Sequence, residues 1–408
     1  MVGRKYLASN RRAYLADELG LGKTAEGVCA MADIDARRPM VICPASVIPT
    51  WERNVRAWTP HRPMPTILSY DRARILGLDE LLRAAPDLLI VDEAHYCAHM
   101  SAERTRVVMG LANQTPWVWF LSGTPVRNHA GELYPVLRAV WPDQLRKAGV
   151  RDYRQFLDTF TVSVLTRYGP KVIRNRNAEM LRQLLEPVML RRRLQDVALE
   201  LPELRWESWY QNIGDDTVAI NRVLQGIPGY EALRMSLMHD EFPQDSPHLA
   251  TLCRQVGVTK AVPAALALAE ELDAGLEKVV VMYYHRDVRE ILRRELERFG
   301  MAEIAGGATL EQRRGAEDQF QTDPATRVFL GQITAAGVGI TLTAAHEIVM
   351  VEQTWSPEDD RQAVKRIHRI SQTEPCRARM VTLAGTIDED IERTRLRKLQ
   401  MIGEIIHL

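Results

Sequence analysis

The stretch Asp17-Glu18-Leu19-Gly20-Leu21-Gly22-Lys23-Thr24 decides how the chain is read. Apolar Ala13-Tyr14-Leu15-Ala16 precedes it, and a helix-compatible run from Ala25 to Ala32 follows. Strand, glycine-rich turn and helix in that order build a phosphate cradle. Backbone N–H groups around Gly20, Leu21 and Gly22 converge on oxygens, and the helix start adds the positive end of its dipole. Lys23 then reaches terminal phosphates of a nucleotide, and the Thr24 hydroxyl a bound Mg²⁺. Asp17 stands where such loops usually carry their first glycine. A plain glycine turn capping a core helix is the competing reading, and the rest of the chain decides between them.

With 408 residues and 46% apolar content, the chain can bury a large core and form two or more domains. Lys plus Arg and Asp plus Glu balance at 53 each, so no global field points to nucleic acid or membrane. A polyanion has to meet a local basic groove instead. The cysteines, Cys29, Cys43, Cys97, Cys253 and Cys376, form no C-x-x-C pair and read as buried or free thiols of a reducing compartment. No run approaches a membrane span and the N-terminus lacks a secretory signal, so the expectation is an intracellular soluble protein without a membrane partner.

From Ala13 to Ala139 short apolar runs alternate with helical patterns. Strands are expected over Pro39 to Cys43, Thr66 to Ser69, Leu88 to Val91 and Val118 to Leu121. Such alternation means a parallel sheet covered on both faces. From Val150 to Gln255 the rhythm breaks, short helices are expected, and Phe242 to Pro247 reads as a loop. It resumes with helices at Lys260 to Leu272, Asp287 to Phe299, from near Leu310, Pro357 to Ile370 and Asp388 to Ile405, and strands at Lys278 to Tyr283, Arg327 to Leu330, Glu347 to Val351 and Arg377 to Leu383. The expected class is α/β: two lobes, 1–204 and 205–408, with a helical insertion between them.

Asp92-Glu93-Ala94-His95 follows the run Leu88-Leu89-Ile90-Val91. Two acids at the carboxyl end of a buried parallel strand sit where such sheets bind ligands. Asp92 is suited to hold Mg²⁺ and Glu93 to polarise an attacking water, the division of labour that NTP hydrolysis needs. Leu121-Ser122-Gly123-Thr124-Pro125 ends the next strand, where Ser122 and Thr124 hydroxyls can bond His95 and couple nucleotide state to movement. In the second lobe the spacing puts Gln362, Arg366 and Arg369 on one helical face, with no carboxylate spaced to neutralise them. That face suits a phosphate. Arg377, Arg379 and the run from Arg393 to Lys398 read as solvated.

These blocks, in this order, resemble the Swi/Snf family of DNA translocases within helicase superfamily two. Motif I matches Asp17 to Thr24. Motif Ia matches Val41-Ile42-Cys43-Pro44-Ala45-Ser46 with Trp51, and motif Ib matches Leu68-Ser69-Tyr70. Motif II is Asp92 to His95, and motif III is Leu121 to Pro125 with Arg127-Asn128. A basic linker block is similar at Met189-Leu190-Arg191-Arg192-Arg193, and motif IV at Val279 to His285. Motif V is similar at Thr334 to Leu342, and motif VI at Trp355-Ser356-Pro357 with Gln362 to Gln372. Gly257 to Lys260 with Tyr284-His285 leans toward the branch that contains the annealing helicases. Asn54, Lys365 and Ser371 depart from the family pattern without removing a catalytic group, and the upstream glutamine motif that grips adenine is not expected in this chain.

The resemblance implies two RecA-like lobes and an ATPase that uses ATP and Mg²⁺. Catalysis falls to Lys23, Asp92, Glu93, Arg366 and Arg369, with Gln362 and Gly339 added to the nucleotide-binding set. It implies double-stranded DNA as partner of a monomeric motor, tracked through backbone phosphates by Pro44, Ser46, Ser69, Tyr70, His285, Thr334 and Thr341. An exposed basic groove beneath Pro44, Thr334 and Arg191 to Arg193 would separate a DNA motor from other ATPases. The alternatives are a catalytically weak DNA clamp or strand-annealing module, and an ATPase acting on RNA or protein. Arginine-rich usage and the lack of accessory domains point to the cytoplasm of a bacterial or phage-infected cell.

Overall fold

A computed structural model describes the chain except residues 167–168, 198–200, 212–215, 239–246, 337–338, 355, 370 and 407–408. Gly337, Val338, Trp355 and most of the expected loop before Pro247 therefore lie outside the described residues. Two compact units emerge, Met1–Leu199 with Gln400–Leu408, and Glu200–Leu399. The division falls just ahead of the expected one, because Leu204 already opens a strand of the second sheet.

In the first unit the strands are β1 (Arg12–Leu15), β2 (Pro39–Cys43), β3 (Thr66–Ser69), β4 (Leu88–Asp92), β5 (Trp117–Leu121), the hairpin β6 (Thr161–Thr166) and β7 (Gly169–Asn175), and the two-residue β8 (Met189–Leu190). The sheet runs β3-β2-β4-β5-β1-β8, with every pairing parallel. Its strands are continuous apolar runs because helices cover both faces, and all five residues of β4 are buried. The register sets Leu15 of β1 level with Leu121 of β5, and Leu121 level with Asp92 of β4. The glycine loop, the acidic turn and the Ser122 turn thus leave the sheet side by side at one edge.

The second unit carries β9 (Leu204–Gln211), β10 (Val279–Tyr283), β11 (Met301–Ile304), β12 (Val328–Gln332), β13 (Glu347–Met350) and β14 (Cys376–Leu383). They form a parallel sheet ordered β11-β12-β10-β13-β14-β9. Alternation divides each central strand between two cores: Val280 and Met282 with Ile348 and Met350 on one face, Val279 and Val281 with Val349 and Val351 on the other. Each such buried side chain contributes about 1.5–3 kcal/mol.

Several expectations change. The stretch after Val150 contains the antiparallel hairpin β6–β7, bulged between Val162 and Ser163, besides short helices. The helix expected from Lys260 begins at Pro247 and runs to Asp273 with Pro263 inside it. Arg379 is not solvated: β14 is an interior strand, and its guanidinium is 4% exposed, forked onto Glu271 at 2.6 and 2.7 Å and stacked over Trp209. Arg395 is also buried, donating to the Thr354 carbonyl at 2.8 Å and pairing with Asp360, and burial pushes its pKa down to about 9. Arg393, by contrast, is exposed beside Asp390.

Lys260 ties the long helix to β14, donating to the Val381 carbonyl at 2.8 Å and to the buried Asp388 carboxylate at 3.0 Å. Lys260→Met leaves Asp388 buried without its cation, an expected loss of about 3–5 kcal/mol. Urea denaturation should show a lower midpoint at unchanged slope; an unmoved midpoint contradicts this.

Candidate nucleotide site and DNA-facing residues

Beyond β1 the chain adopts left-handed backbone at Gly20 (φ +95°) and Gly22 (φ +79°), and Lys23 opens the helix Lys23–Asp33. Side chains other than glycine strain at those angles, so the loop's shape is tied to its composition. Lys23 Nζ donates to the carbonyls of Asp17 (2.7 Å) and Glu18 (3.2 Å). Burial lowers its pKa, against the opposing charges of Glu93, Asp17 and Asp92. A Cβ at Gly123 would meet Leu19 and Lys23, so the Ser122-Gly123-Thr124 turn lies directly against the loop.

Asp92 is 6% exposed. Its Oδ2 accepts the Trp51 indole N–H at 2.7 Å and its Oδ1 the Glu93 N–H at 3.0 Å. Burial nonetheless raises its pKa, with the Trp51 hydrogen bond and Lys23 opposing. A carboxylate in this position gains from a cation, and it and the half-buried Thr24 hydroxyl are oxygen donors of the kind Mg²⁺ takes, one or two from protein beside phosphate and water. Glu93 sits at φ 53°, ψ 53°, a conformation costing a non-glycine residue about 1–3 kcal/mol. The Tyr70 hydroxyl donates to the carbonyls of Asp92 (2.7 Å) and Glu93 (3.2 Å) and holds that turn in place.

The expected coupling set comes together. His95 Nδ1 lies 3.0 Å from Ser122 Oγ, 3.3 Å from Thr124 Oγ1 and 3.3 Å from Glu93 Oε2. Burial drives the His95 pKa well below its ordinary value, helped by Arg127, so the ring is neutral. It joins the acidic turn after β4 to the turn after β5.

One part of the site was not foreseen. Asp17 is fully buried and accepts from the Arg192 N–H at 2.9 Å and from Arg192 Nε at 3.1 Å. The same guanidinium reaches Glu26 at 3.0 Å, and Glu26 accepts the Gly3 N–H at 3.1 Å. Arg191 donates to the Ala16 carbonyl at 2.8 Å, and Glu18 accepts the Leu194 N–H at 2.8 Å. Arg191 and Arg192 are therefore turned onto the start of the glycine loop instead of lining a basic groove, and Arg193 pairs with Asp196. The signal was an acid at a glycine position and three arginines after a short apolar pair.

In the second unit the helix Pro357–Val364 stops short of the expected Ile370. The Arg366 N–H bonds Ala363 and the Ile367 N–H bonds Val364, a tightened i−3 pattern that ends the regular helical period ahead of Arg369. Buried Arg366 donates from Nε to the Gln362 carbonyl at 3.0 Å, and its own carbonyl accepts from Leu342 at 2.9 Å. Arg369 donates to Thr341 Oγ1 at 2.8 Å; burial lowers its pKa to about 10, with Glu317 opposing. Thr341 thus serves Arg369, and its N–H bonds Glu317 at 2.8 Å. Gly339, at φ +86°, lies just ahead of that segment.

Residues 67–213 match the SNF2-related domain, and residues 264–371 the helicase conserved C-terminal domain. The chain joins an SNF2-related domain to a helicase conserved C-terminal domain and so resembles a Swi/Snf-family core. Among relatives, it is 28% identical to the SWI/SNF-related matrix-associated actin-dependent regulator of chromatin subfamily A-like protein 1 homolog of Caenorhabditis elegans, over 98% of this chain and 60% of that protein. It is 28% identical to the corresponding Bos taurus protein over 98% and 43%, and 24% identical to the human DNA annealing helicase and endonuclease ZRANB3 over 98% and 39%. It thus spans about half the length of the curated relatives it matches. The solved SWI2/SNF2 ATPase core of Sulfolobus solfataricus in complex with dsDNA superposes with TM-score 0.43 at 21% identity, covering 99% of this chain and 91% of that one. Among the described residues, no helix is long and apolar enough to cross a membrane and no cluster of three metal-ligating side chains occurs.

The residues expected on the DNA side of this Swi/Snf-like core divide. Pro44 follows β2 and is buried, Ser46 is half-buried, and Ser69 caps the following helix by accepting the Arg72 N–H at 3.0 Å. Tyr70 is turned inward beneath the acidic turn and stacks on Tyr96, so its side chain faces the Asp92–Glu93 turn and not solvent. Thr334 is exposed in the short helix Ile333–Ala336, and His285 is partly exposed after β10.

Arg192→Ala in this Swi/Snf-like core leaves Asp17 and Glu26 buried without their shared cation. Unfolding should cost about 3–5 kcal/mol less than for wild type by urea titration; a loss under about 1 kcal/mol, the range of exposed pairs, contradicts the role given to the cluster.

Proposed function

We propose that this core is a DNA-dependent ATPase that couples ATP hydrolysis to movement along double-stranded DNA. The observation that carries the reading is the convergence of Lys23, Asp92, Glu93 and the His95–Ser122–Thr124 contact at one sheet edge. Bound ATP with Mg²⁺ supplies the phosphoanhydride and neutralises its charge. Gly20, Leu21 and Gly22 would present backbone N–H groups to the phosphates, Lys23 would exchange its loop carbonyls for them, and Thr24 and Asp92 would hold the metal. Glu93 orients the attacking water. Arg366 and Arg369, with Gln362 on the preceding helix and Gly339 just ahead of Thr341, are assigned to the charge that develops on the γ-phosphate, where an arginine contributes on the order of 10³–10⁵ in rate. Neutral His95 senses Glu93 on one side and the Ser122-Thr124 turn on the other. Its hydrogen bonds can rearrange with the nucleotide without a change of charge.

Backbone phosphate contacts suit a motor that must follow any sequence. Ser46, Ser69, Thr334 and His285 are the residues assigned to them here. The match to a relative named as a DNA annealing helicase favours strand annealing as the second reading. ATP-dependent pairing of complementary single strands distinguishes it from movement along an intact duplex.

ATP hydrolysis measured without DNA, with single strands and with duplex tests the proposal. Duplex should stimulate most, and Lys23→Ala should abolish turnover under every condition. Arg366→Ala should lower turnover by at least 10³-fold while nucleotide affinity stays within about threefold, as expected for an interaction made in the transition state. Turnover indifferent to duplex contradicts the DNA reading, and equal loss of binding and turnover contradicts the role of Arg366.

A further inference from the structure

At the carboxyl edge of the second sheet, the end of β10 meets the residue that follows Val351. That residue, Glu352, is 3% exposed and acts entirely as an acceptor. Its Oε2 takes the N–H groups of Tyr284 and His285, each at 2.7 Å, and its Oε1 lies 2.6 Å from His285 Nδ1. An ionised carboxylate has no hydrogen to give, so Nδ1 carries the proton and the ring is held through that nitrogen. The remaining nitrogen, Nε2, belongs to a ring that keeps one fifth of its surface exposed at the start of the helix Arg286–Leu296.

The long helix Pro247–Asp273 makes room for this pair through a glycine: a Cβ at Gly257 would overlap the Glu352 carboxylate. The neighbouring charges Arg254 and Asp287 pair with each other across the same two helices. Gln332 at the end of β12 fixes the Tyr284 carbonyl at 3.1 Å. Burying a carboxylate costs several kcal/mol unless it is fully hydrogen-bonded. Here every bond it accepts goes to the Tyr284-His285 turn, so the arrangement serves that turn.

We propose that Glu352 is a positioning residue for His285, locking the imidazole so that Nε2 faces a backbone phosphate of duplex DNA. A phosphate oxygen only accepts, so the contact uses Nε2–H while Nδ1–H donates to Glu352. The phosphate role rests on the DNA reading above; the positioning role does not.

Two measurements separate them. In the free protein, ¹⁵N spectra of the His285 ring should show a protonated Nδ1 that Glu352→Gln and Gly257→Ala both disturb. In duplex-stimulated hydrolysis, Glu352→Gln and His285→Ala should each raise the duplex concentration for half-maximal rate about tenfold, with the maximal rate within twofold and the double variant no worse than either single one. An undisturbed ring in Glu352→Gln, or single effects that multiply in the double variant, overturns the positioning role. A disturbed ring with unaltered duplex half-saturation overturns the phosphate role. Absence of duplex stimulation in wild type overturns the DNA reading itself.

Discussion

The phosphate loop depends on a buried ion cluster closed by Arg192. Asp17 and Glu26 are both inside the protein, and neither is tolerable there without a cation. The cation arrives from 175 residues further along the chain, after β8 has paired with β1. Loop geometry is thus completed only when the segment at Met189–Leu194 has joined the sheet edge. The residue that departs from the usual glycine is the one that makes this dependence possible: a glycine at position 17 offers Arg192 no carboxylate.

From that anchor the rest of the first site follows by register. Leu15, Leu121 and Asp92 are level, so three turns leave the sheet together and their polar groups meet. The site is dry enough that burial governs its electrostatics, raising the Asp92 pKa and lowering those of Lys23 and His95. For Lys23 and Asp92, a polyphosphate and a divalent cation would restore the charge that burial disfavours, while His95 stays neutral. Glu93 is held in left-handed backbone by Tyr70, so the acid is presented by a turn whose strain is borne by the surrounding sheet.

Much of this was legible in the sequence because the parallel strands are continuous apolar runs and the chemistry sits at their ends. Leu88-Leu89-Ile90-Val91 followed by two acids gives strand and site in one reading. What the sequence concealed has physical causes. The short β8 has too few residues for a period, and β6–β7 mixes polar and apolar residues without clean alternation. Helical spacing placed Gln362, Arg366 and Arg369 on one face, but i−3 bonding after Val364 breaks the period. Tyr70 and Thr341 sit within blocks expected to face DNA, yet hydroxyls that find a carbonyl or guanidinium in the core follow tertiary contacts invisible to local sequence. Arg379 read as solvated because its carboxylate, Glu271, lies far away in sequence. Glu352 escaped notice for the same reason, since its partners follow β10, on the neighbouring strand of the sheet.

Displacement of a third strand from a triplex reports movement along intact duplex and not hydrolysis alone. ATP hydrolysis by the chain should release the third strand while the underlying duplex stays paired, and Lys23→Ala should release none. Vigorous duplex-stimulated hydrolysis that leaves the triplex intact would contradict movement along the duplex.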